Sequence, residues 1–253
     1  MTGGRESIDH EEHLMLSLRR KAMRDFRLAS AHGTWIRLGW VFLASACGHG
    51  SVQSQVNAPP APVASDSAAE SLLVDVRSVD SSIAVDLRYF TSENFTGAPL
   101  PGYQANRAYL RREAAAALGR VQQQLRAEGL GLLVWDGYRP VSGTEGMVAW
   151  AERTGNMKFF KQGYIARRSR HNMGVAVDLT LISLGSGKPL DMGTPYDTFS
   201  EAAHTANATG APARNRQHLV TAMESQGFRN YDREWWHFSI EVPDPQPFNM
   251  PVW

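Results

Sequence analysis

Two short segments of this 253-residue chain contain the side chains best suited to chemistry. The first, SRHNMGVAVD at residues 169–178, supplies His171 and Asp178, and the second, EWWH at residues 234–237, supplies Glu234 and His237. A catalytic zinc site uses three His, Asp or Glu ligands and leaves a further position to water. The metal activates that water and polarises a carbonyl, so amide hydrolysis needs no side-chain nucleophile. The two segments therefore predict a divalent metal site with a base beside it.

The surroundings of Asp178 favour this interpretation. Gly174 can supply a turn that other residues resist. The apolar residues that follow it alternate with their neighbours as in a strand: Val175, Val177, Leu179 and Leu181. An unpaired carboxylate in such a strand would cost several kcal/mol, and a cation, an arginine or backbone N–H groups could satisfy it. His171 follows a run of arginines, and taken alone it could be a solvated loop histidine.

The second segment leads into another alternating strand, with Phe238, Ile240 and Val242. Glu234 and His237 could simply point to water from an aromatic core segment. Two indoles packed at a strand entry would instead form a stiff platform, which a ligand set requires. A carboxylate near an activated water can take its proton and pass it to the leaving amine. The spacing differs from the helical His-Glu-x-x-His arrangement of other zinc peptidases.

The pattern S-x-H-x-x-G-x-A-x-D followed by E-W-W-H resembles that of VanX-type D-alanyl-D-alanine dipeptidases. These enzymes belong to a zinc peptidase superfamily that also includes D,D-carboxypeptidases and the hedgehog-like fold. Further segments share the resemblance: DLRY at 86–89, NFTG at 94–97, WDGYRP at 135–140, and Met192-Gly193 before Asp197. The resemblance covers about residues 72 to 250.

The resemblance implies roles for four residues of the two motifs. It implies that His171, Asp178 and His237 bind one zinc ion per chain and that Glu234 is the general base. The expected reaction is hydrolysis of the D-alanyl-D-alanine dipeptide, a substrate related to peptidoglycan and the bacterial cell wall.

Four other positions match the family's substrate and transition-state contacts. Arg139 matches an arginine that stabilises the oxyanion, a role that suits a permanently charged guanidinium. Asp197 matches a carboxylate that receives the free ammonium of the substrate, and Tyr89 and Ser169 match residues that line the pocket. Without the resemblance, Arg139 could be a surface arginine before a proline. Arg170 stands where the family has a small polar residue.

Two alternative functions remain open. The first is a D,D- or L,D-carboxypeptidase that acts on peptidoglycan stem peptides. The second is a non-catalytic binding module stabilised by its metal. Glu234 argues against the binding module, because a purely structural metal site has no use for a base.

Composition excludes some partners. The chain has 26 basic and 25 acidic residues and a net charge of +1, whereas nucleic-acid binding requires a concentrated basic face. We therefore expect no nucleic-acid partner. Because the chain has 1 cysteine, it can form no intrachain disulfide, and the domain must rely on its core and its metal.

The N-terminal part of the chain predicts export. Residues 1–47 form a targeting region, in which arginines precede a short apolar run at 38–46 and Cys47 follows. Cys47 lies in a loose lipobox, which favours a lipid-anchored protein over a secreted one, and Met23 is a candidate start. Residues 48–71 are rich in Ala, Pro and Ser and predict a disordered tether. Residues 72–253 are predicted to form the catalytic domain, which we expect in the bacterial cell envelope or periplasm.

The domain is predicted to be α+β, with an antiparallel sheet that carries the metal ligands and helices packed on one face. Predicted strands cover 72–76, 83–87, 132–135, 175–182 and 236–242. Predicted helices cover 108–128, 142–154 and 215–226, the second with a capping box between Ser142 and Glu145. A long loop at 185–204 holds Asp197.

Overall fold

The computed structural model describes residues 62–253. Its helices are α1 (Asp66–Leu72), α2 (Val76–Val79), α3 (Arg112–Arg126), α4 (Val141–Arg153), α5 (Lys158–Lys161) and α6 (Gly210–Glu224). Its strands are β1 (Leu73–Asp75), β2 (Ala84–Val85), β3 (Tyr109–Arg111), β4 (Leu130–Asp136), β5 (Ala176–Ser183), β6 (Arg229–Tyr231) and β7 (Glu234–Ser239). Short 3₁₀ turns cover Arg88–Phe90, Arg170–Met173, Glu201–Ala203 and Thr205–Asn207.

The central sheet has the strand order β2-β4-β5-β7-β6. Strand β2 runs parallel to β4, and the other neighbours are antiparallel. Val177, Leu179 and Leu181 of β5 belong to one hydrophobic core, to which α3 and α6 contribute Leu118, Val121 and Leu219. The predicted α+β class, with helices on a largely antiparallel sheet, is confirmed.

Several predicted boundaries differ from the structure. The helix predicted from residue 108 begins at Arg112, because Tyr109–Arg111 pair with β1 as a separate strand. The predicted capping box between Ser142 and Glu145 is wrong. Helix α4 begins at Val141 after Pro140, and the Ser142 N–H donates to Asn249 Oδ1 at 2.8 Å. A tertiary contact thus replaces the local cap.

The folded domain begins before the boundary predicted at residue 72. Helix α1 has Ser65 as its N-cap and a fully buried Ala69, and the Ala64 N–H donates to Pro247 O at 2.9 Å. The predicted targeting region, Cys47 and most of the predicted tether lie outside the described residues. Within 62–253, the helices are too short or too polar to cross a bilayer.

The predicted turn at Gly174 is present and joins the two parts of the first motif. Gly174 has φ +65° and follows the 3₁₀ turn that contains His171. Its carbonyl accepts from the Arg111 N–H at 2.8 Å. A methyl group on Gly174 would lie 2.5 Å from Leu73 Cδ2 and 3.1 Å from Arg111 N. The turn therefore requires glycine both for its backbone angle and for its close contacts.

We expect Gly174→Ala to lower the free energy of unfolding by about 2 kcal/mol or more, because a left-handed backbone and overpacking both destabilise. Gly129→Ala is the matched control, since Gly129 has φ +73° and no atom near its added methyl group. This control should cost only about 1 kcal/mol. Chemical denaturation measures both values, and equal costs would show that the contacts at Gly174 are unimportant.

Candidate active site

Three candidate metal ligands converge at one end of the central sheet. Asp178 and His237 are cross-strand partners in β5 and β7, and His171 comes from the preceding 3₁₀ turn. His237 Nδ1 lies 2.9 Å and His171 Nε2 lies 3.3 Å from Asp178 Oδ1. The two ring nitrogens are 3.1 Å apart. Each residue offers one ligand atom, and these atoms lie within 4.8 Å of one another, which places them around a single point.

The ring of His171 is held by a backbone contact. His171 Nδ1 lies 2.6 Å from Gly137 O, and a carbonyl oxygen only accepts, so Nδ1 carries the hydrogen. Nε2 is then left with a lone pair toward Asp178 and His237. Metal-binding histidines commonly use their second nitrogen in this way, which fixes both ring orientation and tautomer.

Glu234 begins β7 and lies beside the candidate ligands. Its Oε2 is 3.9 Å from His237 Nδ1, and the residue is 8% exposed. Burial raises the pKa of Glu234 well above its usual value, and the negative charges of Asp178 and Asp197 raise it further. A carboxylate with a raised pKa is a stronger base than an exposed one.

Arg139 follows β4 and points its guanidinium into the site. Both Nε and Nη2 donate to Asp136 Oδ2, at 3.0 and 2.8 Å, and Nη2 lies 3.9 Å from Asp178 Oδ2. Its Cζ is 5.1 Å from the ring centroid of Tyr89. Burial alone would lower the pKa of Arg139, but Asp136 and its other neighbours raise it well above its ordinary value. The site therefore contains a fixed positive charge.

Sequence reasoning missed three residues whose hydrogen bonds hold Arg139 and Asp178 in place. Asp136 is fully buried, and its carboxylate accepts hydrogen bonds from the Arg139 guanidinium and, at 2.7 Å, from Tyr103 Oη. Tyr196 Oη donates to Asp178 Oδ2 at 2.8 Å. One sequence signal could have found Asp136: it is an acidic residue at the end of an apolar strand, much as Asp178 is an acidic residue within one. Tyr103 and Tyr196 lie in loops, where spacing predicts no partner.

The three candidate substrate-binding residues line the same cavity as the candidate ligands. The cavity has a volume of about 340 Å³ and is also lined by Arg139 and Glu234. Tyr89 Oη donates to the Asp197 carboxylate at 3.0 and 3.1 Å. Burial raises the pKa of Asp197 well above its usual value, and Asp178 adds to the shift. Ser169 Oγ accepts from the His171 N–H at 3.2 Å, so Ser169 also stabilises the 3₁₀ turn that contains His171.

The charges of the site fit a divalent cation. The Arg139 guanidinium lies 2.8 Å from Asp136 Oδ2 and 3.9 Å from Asp178 Oδ2, and Asp197 and Glu234 line the same cavity. Burial and the two histidines oppose each other at Asp178: burial would raise its pKa, but His171 and His237 lower it below the usual value. Asp178 is therefore an anionic donor. Two imidazole nitrogens and one carboxylate oxygen are a donor set that zinc accepts.

Comparison with known proteins places this chain in a family. The Peptidase_M15 family model, described as D-ala-D-ala dipeptidase, matches residues 69–248. A D-alanyl-D-alanine dipeptidase of Streptomyces coelicolor is 38% identical over 189 residues, 68% of this chain and 94% of the relative. One of Enterococcus faecalis is 38% identical over 185 residues, 66% of this chain and 91% of the relative.

A weaker likeness links the chain to a solved structure. The D,D-dipeptidase VanXYg in complex with a D-Ala-D-Ala phosphinate analog has a TM-score of 0.37 and 16% identity over 68% of each chain. The match over residues 69–248 and the identities to the two dipeptidases suffice: the chain belongs to the Peptidase_M15 family and is a peptidase.

Proposed function

We propose that this chain is a zinc-dependent dipeptidase that hydrolyses D-alanyl-D-alanine. The observation that carries the proposal is the convergence of His171, Asp178 and His237 within 4.8 Å, beside Glu234 and in one cavity with Arg139. The names of the relatives supply the substrate, since both are D-alanyl-D-alanine dipeptidases.

In this proposal His171, Asp178 and His237 hold the zinc ion. When bound, zinc supplies Lewis acidity, which polarises a carbonyl oxygen and makes water acidic enough to attack at neutral pH. The protein contributes the rigid arrangement of the ligands. Two of them are cross-strand partners in the sheet, and the third is fixed through Gly137 O.

Glu234 acts as the general base and then as the general acid. It lies close to the ligands but is a separate carboxylate, so its oxygens are free to exchange a proton. It takes the proton of the attacking water and returns it to the departing amine. Its burial keeps bulk water from competing for that proton.

Arg139 stabilises the negative charge that develops on the carbonyl oxygen. Asp136 holds two of its nitrogens, so the guanidinium is oriented before substrate binds. A preoriented charge in a buried site needs no rearrangement during the reaction, which is the main source of electrostatic catalysis.

Asp197 selects substrates with a free amino group. Its partly buried carboxylate, held by Tyr89, would pair with the ammonium of a dipeptide. A longer peptide offers an uncharged amide there and leaves the carboxylate without a counterion, which costs several kcal/mol in a buried site. The small cavity, about 340 Å³, agrees with a short substrate.

A substrate panel tests the proposal: release of D-alanine from D-Ala-D-Ala, from its N-acetyl form and from a stem pentapeptide. We expect the free dipeptide to be cleaved at least about 10²-fold better than the blocked form, because only the dipeptide pairs with Asp197. Asp197→Asn should raise KM for the dipeptide and reduce this preference. Asp191→Asn, an exposed change in the same loop, is the control and should alter neither.

The other outcomes point to different functions. Efficient cleavage of the blocked or longer peptides would identify a carboxypeptidase and contradict the role of Asp197. Zinc binding without turnover of any of the three peptides would identify a binding module and overturn the enzymatic proposal.

A further inference from the structure

We propose that Tyr196 is a positioning residue that makes Asp178 present a single oxygen to the metal. This inference rests on the proposed zinc site but concerns a residue outside the ligand set. It assigns a function to a loop tyrosine whose importance no motif indicated.

The two oxygens of Asp178 have different neighbours. Oδ1 faces the imidazoles, at 2.9 Å from His237 Nδ1 and 3.3 Å from His171 Nε2. Oδ2 accepts the Tyr196 hydroxyl at 2.8 Å and lies 3.9 Å from Arg139 Nη2. The hydrogen bond from Tyr196 occupies a lone pair of Oδ2 and so reduces the capacity of that oxygen to bind a metal. Oδ1 is thereby left as the metal ligand, while Oδ2 is held by its hydrogen bond to Tyr196.

The ring of Tyr196 is itself fixed. It stacks on Trp135 with centroids 4.9 Å apart and planes at 30°, and it meets Trp236 edge to face at 5.4 Å. Trp135 and Trp236 are both buried, and they belong to β4 and β7, the strands on either side of β5. The ring of Tyr196 is thus held in position by the same sheet that carries Asp178.

The hydroxyl of Tyr196 also approaches the substrate side of the cavity. It lies 3.1 Å from Tyr89 Oη, and Tyr89 donates to Asp197. A tyrosine has one hydroxyl hydrogen, and the shorter contact, 2.8 Å, assigns that of Tyr196 to Asp178. Tyr89 can therefore be removed without breaking the contact on which the proposal depends, which separates metal positioning from substrate binding.

The test compares Tyr196→Phe with wild type and with two other hydroxyl deletions. Phenylalanine keeps the ring on Trp135 and removes the hydroxyl that donates to Asp178 and lies beside Tyr89. Tyr138→Phe is the control for loss of a buried hydroxyl, since Tyr138 is 1% exposed and donates to Met250 O at 2.8 Å. Tyr89→Phe removes the substrate-side hydroxyl. Zinc affinity is measured by chelator competition, and the cobalt-substituted proteins give visible spectra that report ligand geometry.

We expect Tyr196→Phe to bind zinc about 10-fold or more weakly, as loss of a group that orients a ligand typically does, and to change the cobalt spectrum. Tyr138→Phe and Tyr89→Phe should keep both properties. Affinity and spectrum unchanged in Tyr196→Phe would overturn the inference. A wild-type protein that takes up no zinc would instead overturn the proposed function, so the two failures are distinguishable.

A second measurement needs no variant. A crystal structure of the zinc-loaded wild-type protein should show Asp178 bound through Oδ1 alone, with Oδ2 on Tyr196. Both oxygens on the ion, or a Tyr196 hydroxyl turned away, would contradict the inference even if Tyr196→Phe did not fold.

Discussion

Replacing Glu234 by glutamine is expected to lower kcat by about 10³-fold, the usual size of the loss when a positioned acid–base group is removed. Glutamine has the same size and cannot accept the proton of the attacking water. Zinc content should stay that of wild type, because Glu234 is outside the donor set of His171, Asp178 and His237. Kinetics on D-Ala-D-Ala and metal analysis of the same preparation measure the two effects, and Glu234→Ala should behave alike.

Glu224→Gln provides the control for Glu234. Glu224 is exposed at the end of α6, and its substitution should leave both kcat and zinc content unchanged. Activity within tenfold of wild type in Glu234→Gln would remove Glu234 from the base role. Loss of zinc together with activity would show that Glu234 acts as a ligand instead.

Replacing His237 by alanine is expected to abolish zinc binding and activity together. The remaining pair, His171 and Asp178, is one donor short of the three that catalytic zinc sites use. The wild-type protein should also be stabilised by its metal, by about 4 kcal/mol when zinc exceeds its dissociation constant 1,000-fold. His237→Ala should lose this zinc-dependent stabilisation. Metal analysis and thermal unfolding with and without a chelator measure these effects.

His218→Ala is the matched histidine control. His218 lies on α6, where it pairs with Glu128 at 2.9 Å, and we expect its substitution to leave zinc content and activity unchanged. If His237→Ala kept wild-type zinc content and its response to chelator, the metal would have to be bound elsewhere, and the proposed site would be wrong.

Local patterns in the sequence predicted the main elements of the sheet and the residues of the site. The alternation after Gly174 predicted β5, and the turn at Gly174 is present with its left-handed backbone. The ends of elements were less predictable. Tyr109–Arg111 became a strand because β1 was available to pair with them, and α4 lost its predicted cap to Asn249. In both cases a contact distant in sequence outweighed a local preference.

The sequence by itself determined which side chains could do chemistry, because ligand type, charge and the period of a strand are local properties. It therefore predicted His171, Asp178, His237 and Glu234 as candidate site residues. Only the tertiary structure decided how these groups are held. The hydrogen bonds from Tyr103 to Asp136 and from Tyr196 to Asp178 join loops to β4 and β5, across 33 and 18 residues of sequence. Such contacts form when the chain folds back on itself, and no spacing along the sequence encodes them.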